Sequence, residues 1–197
     1  MFIVGITGGT GAGKTTDVQA LQSFGAMPMD CDKIYHEMLL SNAEMNAEIE
    51  ARFNNVSDDG VIDRRKLGEI VWSDPKSLSD LGAITHRFIS SELEWRIISF
   101  KAQGGELVAI DAIALIESGQ SDKCNVVVGV IAPEEKRLSR IMSRDDLTKE
   151  QALKRIKAQQ PESFYRENCD FILENIYEKQ AEFEEKCKEF FKDIIKK

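Results

Sequence analysis

The stretch Gly8-Gly9-Thr10-Gly11-Ala12-Gly13-Lys14-Thr15 decides the fold. It fits the pattern G-x-x-x-x-G-K-[ST] without a gap. Glycines let the backbone curl until several N–H groups point inward at one anion. A helix opening at the lysine aims its positive end at the same anion. Gly9, Gly11, Ala12 and Gly13 form the cradle. Lys14 reaches the outer phosphates of a nucleoside triphosphate, the Thr15 hydroxyl holds magnesium, and Thr16 touches the α-phosphate. A flexible glycine turn is the other reading of such a run, and the flanks argue against it. Phe2–Thr7 before the loop reads as a buried strand, and the residues after it, with Val18, Leu21 and Gln22, read as a helix stopping at Gly25.

Outward from the loop, Ala26–Met29 reads as a short strand ending at Asp30. The chain from about Lys33 to Lys101 reads as mostly helical. Ser41 and Asn42 can cap a helix through Phe53, and residues 54–60 form a polar turn. Asp63 can cap a segment through Trp72, and Asp74-Pro75 opens another helix. Gly104-Gly105 ends this block. Leu107–Asp111 and Asn125–Ile131 are strands, the latter nearly all apolar, as in a central parallel strand covered on both faces. Pro133-Glu134 opens a helix, Thr148 and Gln151 match a capping box for a helix through Gln159, and Phe171–Leu173 is a last short strand. The segment from Glu178 is amphipathic. The pattern predicts an α/β protein of the P-loop NTPase type: three layers, a parallel sheet flanked by helices, with a helical substrate-binding insertion and a lid. The expected division is a nucleotide-binding core at 1–32, 102–136 and 160–197, a helical substrate-binding region at 33–101, and a lid at 137–159. Ligands in such sheets bind beyond the carboxyl ends of the strands, where the motifs fall.

The 197 residues suit one domain with an insertion. A formal net charge of -8 argues against nucleic acid as a partner, since proteins that neutralise its phosphates are usually basic. The four cysteines show no C-x-x-C spacing and read as reduced thiols of a cytoplasmic protein. Met1–Thr7 lacks the basic start of a signal peptide, and no run approaches the ~20 apolar residues of a membrane span. A small phosphate-bearing substrate needs only a few local positive groups. The expected assembly is a monomer or a small homo-oligomer.

Two sets of side chains could serve phosphoryl transfer. In an extended segment Asp30 and Asp32 would face the same side, and a kinase for a hydroxyl acceptor needs a carboxylate beside the attacking oxygen. Asp32 is the expected base; one aspartate could also cap the next helix. Asp111 ends its strand beside the loop, where an aspartate commonly supports magnesium, although a strand-end turn would also suit it. Arg137, Arg140 and Arg144 recur in one helical stretch. Such a segment suits a lid that closes on ATP; the alternative is a solvated face with Arg144 paired to Asp145 or Glu150.

Together these segments resemble the dephospho-coenzyme A kinase family over nearly the whole chain, in the right order. The resemblance rests on Gly5–Thr16, on Asp30-Cys31-Asp32-Lys33-Ile34 with His36 and Leu39, and on Gly60–Leu67. It continues through Asp111–Glu117, through Arg140–Asp145 with Thr148, Ala152, Arg155 and Gln159, and through Cys169–Asn175. Departures are Ile113 where the family has proline, Ala114 for leucine, Arg87 after His86 where the family has His-Pro, and Arg137 where glutamine is usual. They bear on acceptor preference more than on phosphoryl transfer.

The resemblance implies ATP- and magnesium-dependent phosphorylation of the ribose 3′-hydroxyl of dephospho-coenzyme A, giving coenzyme A and ADP. Asp32 would be the base, with Lys14 and Arg140 stabilising the transferred group. Thr15 and Asp111 would serve magnesium, and Arg144 and Asn175 the ATP. Asp30, Arg64 and His86, with Asp32 and Asp111, would contact the acceptor. Another P-loop small-molecule kinase and a non-catalytic ATP-binding regulator are the alternatives. A GTPase would carry an Asn-Lys-x-Asp base-reading motif, which is missing.

Overall fold

The computed structural model describes residues 1–58, 60–71 and 73–195. It divides into two compact units, Met1–Met29 with Gln103–Lys197, and Asp30–Ala102.

The first unit is built on a five-stranded sheet. Its strands are β1 (Phe2–Thr7), β2 (Met27–Asp30), β5 (Leu107–Asp111), β6 (Val126–Ile131) and β7 (Phe171–Glu174), in the order β2-β5-β1-β6-β7. β1 pairs in parallel with both β5 and β6, and β6 in parallel with β7. Every residue of β6 is buried, as its unbroken apolar run requires of a strand covered on both faces. The register sets Ile6 beside Asp111, so the β5 aspartate stands level with the end of β1, where the glycine loop begins.

α1 (Lys14–Ser23) and α9 (Gln180–Ile195) pack on this sheet. Val4, Ile6, Val128 and Val130 of the strands meet Ala20 and Leu21 of α1 and Phe183, Cys187 and Phe191 of α9 in one core. Full burial of each phenylalanine contributes about 1.5–3 kcal/mol, which makes α9 an anchor for the loop-bearing helix. α6 (Glu134–Asp145) and α7 (Lys149–Lys157) form a hairpin with a small core of its own, Ile141, Ala152 and Ile156. Asp146, in the left-handed region at φ 51°, ends α6, and Thr148 starts α7 through the expected capping box with Gln151. α8 (Glu162–Asn168) follows.

The second unit is helical: α2 (Cys31–Ser41), α3 (Ala43–Phe53), α4 (Arg64–Val71) and the 28-residue α5 (Pro75–Ala102). Asn42 caps α3 by accepting from the Met45 N–H, and Asp63 accepts from the N–H groups of Arg65 and Lys66 at the start of α4. The expected segment through Trp72 is α4; Trp72 itself lies outside the described residues. The polar turn expected after Phe53 is partly a hairpin, β3 (Ser57–Asp58) against β4 (Val61–Ile62). Asn54 and Asn55, both at positive φ, turn the chain into it, a conformation that asparagine tolerates better than most side chains.

Candidate active site

The loop between β1 and α1 has the curled shape that its glycines allow. Gly8 sits at φ +141°, and a Cβ there would lie 2.2 Å from the Val130 carbonyl oxygen of β6. Only glycine passes that strand so closely. The Ala12 N–H donates to the Gly9 carbonyl at 3.1 Å and the Thr16 N–H to the Gly13 carbonyl at 2.9 Å. Lys14 Nζ donates to the Gly8 carbonyl at 3.0 Å, which folds its ammonium back over the loop mouth. Thr15 is exposed and Thr16 buried, so the first hydroxyl is the accessible one.

The outer side of the loop is braced from α6 and from the end of β7. Arg140 Nη1 donates to the carbonyls of Gly11 and Ala12 at 3.1 and 3.3 Å, and Nη2 to Asn175 Oδ1 at 3.2 Å. Asn175 Nδ2 donates to the Ala12 carbonyl at 2.9 Å, and its own N–H to the Ile131 carbonyl at 2.8 Å. Arg140 and Asn175 therefore form one group with the Gly11–Ala12 turn. Burial holds the Arg140 pKa below the usual arginine value, opposed by the Glu178 carboxylate.

Arg144, one turn further along α6, is exposed. It makes two bonds to the Asp145 carboxylate, at 2.7 and 2.9 Å, and Arg155 of α7 joins the same carboxylate. These bonds raise the Arg144 pKa and depress that of Asp145, first through the hydrogen bond and then through charge. The solvated pairing with Asp145 weighed from the sequence is the arrangement found, and it coexists with a position on the hairpin.

In the second unit, Asp30 and Asp32 do not occupy one extended segment. Asp30 Oδ1 accepts from the Lys33 N–H at 3.0 Å and so caps α2, which starts at Cys31 and places Asp32 in its first helical turn. Capping, not strand alternation, sets the direction of the second carboxylate. Asp32 is exposed, and His36 stands one turn further along. Burial lowers the His36 pKa, helped by the nearby Arg64 and opposed by Asp32 and Asp30. Arg64, exposed at the start of α4, and both aspartates thus act on the same imidazole. His86 lies on α5 one turn beyond Gly82, whose missing side chain leaves room for the ring.

Three features escaped the motif reading. Thr10, Arg137 and Gln159 form a closed hydrogen-bonded group. Asp17 is wholly buried behind the loop, beside Cys187, and neither of its oxygens has a hydrogen bond of ordinary geometry. Desolvation pushes its pKa up to about 8; the Asp111 charge adds to this, while Cys187 and Lys14 oppose it. Tyr35, held up to about 12 by burial, lies close to Arg64.

A glycine cradle between strand and helix, with a lysine over its mouth and an aspartate ending the neighbouring parallel strand, defines a P-loop kinase-type site. Among relatives, the family model for dephospho-CoA kinase matches residues 2–180. The chain belongs to the dephospho-CoA kinase family. A dephospho-CoA kinase of Latilactobacillus sakei is 35% identical over 88% of this chain and 87% of its own. A crystal structure from Thermus thermophilus superposes with a TM-score of 0.79 at 30% identity, covering 98% of this chain and 96% of that one. The dephospho-CoA kinase of Campylobacter jejuni gives 0.69 at 27% identity, with the same coverage. A shikimate kinase from Acinetobacter baumannii, 18% identical with a TM-score of 0.55 over 98% of this chain and 94% of that one, shares the fold.

Proposed function

We propose that this protein transfers the γ-phosphoryl group of ATP to the ribose 3′-hydroxyl of dephospho-coenzyme A, releasing ADP and coenzyme A. The family match over residues 2–180, with an intact phosphate loop inside it, carries the reading. The first unit is the nucleotide core, with residues 137–159 as its lid, and the helical unit receives the acceptor.

The loop N–H groups and the N-terminus of α1 hold the phosphates, with Lys14 supplying a positive charge to the transferred group. The Thr15 hydroxyl and the Asp111 carboxylate are hard oxygen donors, at the first turn of α1 and at the end of β5. Among the described residues no group of three or more His, Cys, Asp or Glu would hold a metal. That donor set fits magnesium, which is commonly bound through one or two protein oxygens and the substrate's phosphates. Magnesium supplies charge neutralisation between the phosphates when bound. Asp32 accepts the proton of the attacking hydroxyl and orients its oxygen. Asp30, Arg64 and His86 contact the acceptor. Arg140, fixed on the Gly11–Ala12 turn, joins Lys14 in stabilising charge on the transferred group, and Asn175 beside it serves the nucleoside end of ATP as well as the loop. Arg144, exposed on the hairpin, reaches the phosphates once it leaves Asp145. No helix among the described residues is long and apolar enough to cross a membrane. The four cysteines, none of them in a disulfide, suit the reducing cytoplasm.

The test is ADP release with ATP, magnesium and dephospho-coenzyme A, with Lys14→Ala alongside. Turnover that requires the acceptor and disappears in the variant is the expected result. ATP binding without turnover on this acceptor would refute the assignment.

A further inference from the structure

Thr10, the third residue of the loop, has its polar groups taken up by protein. Its N–H donates to Gln159 Oε1 at 2.9 Å, and its hydroxyl accepts from Gln159 Nε2 at 2.6 Å. Its carbonyl accepts from Arg137 Nε at 3.0 Å. Arg137 Nη2 also donates to Gln159 Oε1 at 2.7 Å, which closes the group on itself. Gly9 makes the approach possible: a Cβ there would stand 2.2 Å from Arg137 Nη2 and 2.9 Å from Gln159 Oε1. Arg137 is half-buried, and burial depresses its pKa while Tyr165 and Glu134 favour its charge. A half-buried guanidinium and an amide whose oxygen takes two donors form a satisfied network, the kind that fixes one geometry.

Helix formation does not explain these contacts. Arg137 lies near the start of α6, and Gln159 lies beyond the end of α7 and its cap at Ala158. Between them stands the α6–α7 hairpin with its separate core. Both roots of that hairpin are thus fastened to the same loop residue.

We propose that Gln159, with Arg137, is a positioning residue for the phosphate loop. The pair holds Thr10 so that the curl of the loop does not depend on the anion, and it ties the roots of the lid to the loop. A loop left free would have to be ordered by the nucleotide, at the expense of affinity for phosphate-bearing ligands. The inference rests on the loop being the ATP site, and not on the identity of the acceptor.

The experiment is calorimetric binding of ADP and of adenosine, without any acceptor, to the wild type, Gln159→Leu, Thr10→Val and the double variant. Binding of ADP to the wild type tests the loop as the nucleotide site before any variant is compared. Gln159→Leu removes its two bonds with Thr10 and the one from Arg137, and is expected to weaken ADP about tenfold, part of that loss being felt at the anion, and to leave adenosine unchanged. The double variant is expected to bind ADP about as well as Gln159→Leu alone, because the one contact that Thr10→Val removes, the hydroxyl to Gln159 Nε2, is already lost with Gln159→Leu. A merely structural role would lower the melting temperature and the competent fraction without separating ADP from adenosine. ADP affinity within about twofold of wild type, equal weakening of both ligands, or additive effects would each overturn the proposal. If Gln159→Leu does not fold, Arg137→Met carries the comparison of ADP with adenosine, with the same two affinity criteria.

Discussion

Replacing Asp17 with asparagine should stabilise the protein, by an amount that grows with pH. Asp17 is fully buried on α1, its oxygens lack hydrogen bonds of ordinary geometry, and its pKa stands at about 8 in place of 3.8. The folded state therefore keeps it protonated across the range in which the unfolded chain ionises it. Protonation favours the fold fully below the unfolded pKa, and that contribution is lost as pH rises from about 4 to about 8. Each pH unit in this window is worth about 1.4 kcal/mol, so at pH 7 the wild type has given up at most about 4 kcal/mol. Asparagine has nearly the same volume and no charge to neutralise. At pH 7 the variant should be more stable by about 2–4 kcal/mol, a large share of a typical folding free energy. The assay is urea unfolding of both proteins at half-unit steps from pH 5 to 9. The difference between them isolates Asp17, because every other carboxylate is common to both. It should widen by about 1.4 kcal/mol per unit and level off above about pH 8. A difference independent of pH would mean that Asp17 is ionised in the fold, and would refute the reasoning.

Asp32→Asn removes the proposed base from an exposed position, so turnover should fall about 10²–10⁴-fold with ADP affinity unchanged by calorimetry. Gly8→Ala sets a methyl group against the Val130 carbonyl at a positive φ; a loss of about 2–4 kcal/mol in urea unfolding is expected. The two hairpin arginines should separate: Arg144→Ala should lower kcat with the melting temperature unchanged, since its side chain is exposed and, among the described residues, pairs with an Asp145 that Arg155 also holds. Arg140→Ala should weaken ATP binding and lower the melting temperature together, because it braces Gly11, Ala12 and Asn175.

The parts of the fold legible in the sequence were those decided locally. The strand, glycine loop and helix at the start of the chain, the capping box at Thr148 and the apolar run of β6 are set by neighbours within a few residues. α8 was missed because its seven residues, ESFYREN, are too few to show a helical period. The Ser57–Ile62 hairpin was missed because two-residue strands show no alternation. Asp32 was expected on an extended segment, but the Asp30 cap had already begun the helix. Asp17 reads as an ordinary acid in a first helical turn, and its burial depends on α9, far along the chain. The grip on Thr10 comes from side chains 127 and 149 residues away. Arg137 was visible as a departure and Gln159 as part of the resemblance, but nothing local pointed either of them at the loop.

The proposed reaction stands or falls on the oxygen that is phosphorylated. The most direct measurement is phosphorus NMR and mass analysis of the product formed from dephospho-coenzyme A, ATP and magnesium. One added phosphoryl group is expected, as a monoester on the ribose 3′-oxygen, formed in step with ADP. An unmodified acceptor, or a phosphoryl group at any other oxygen, would contradict it.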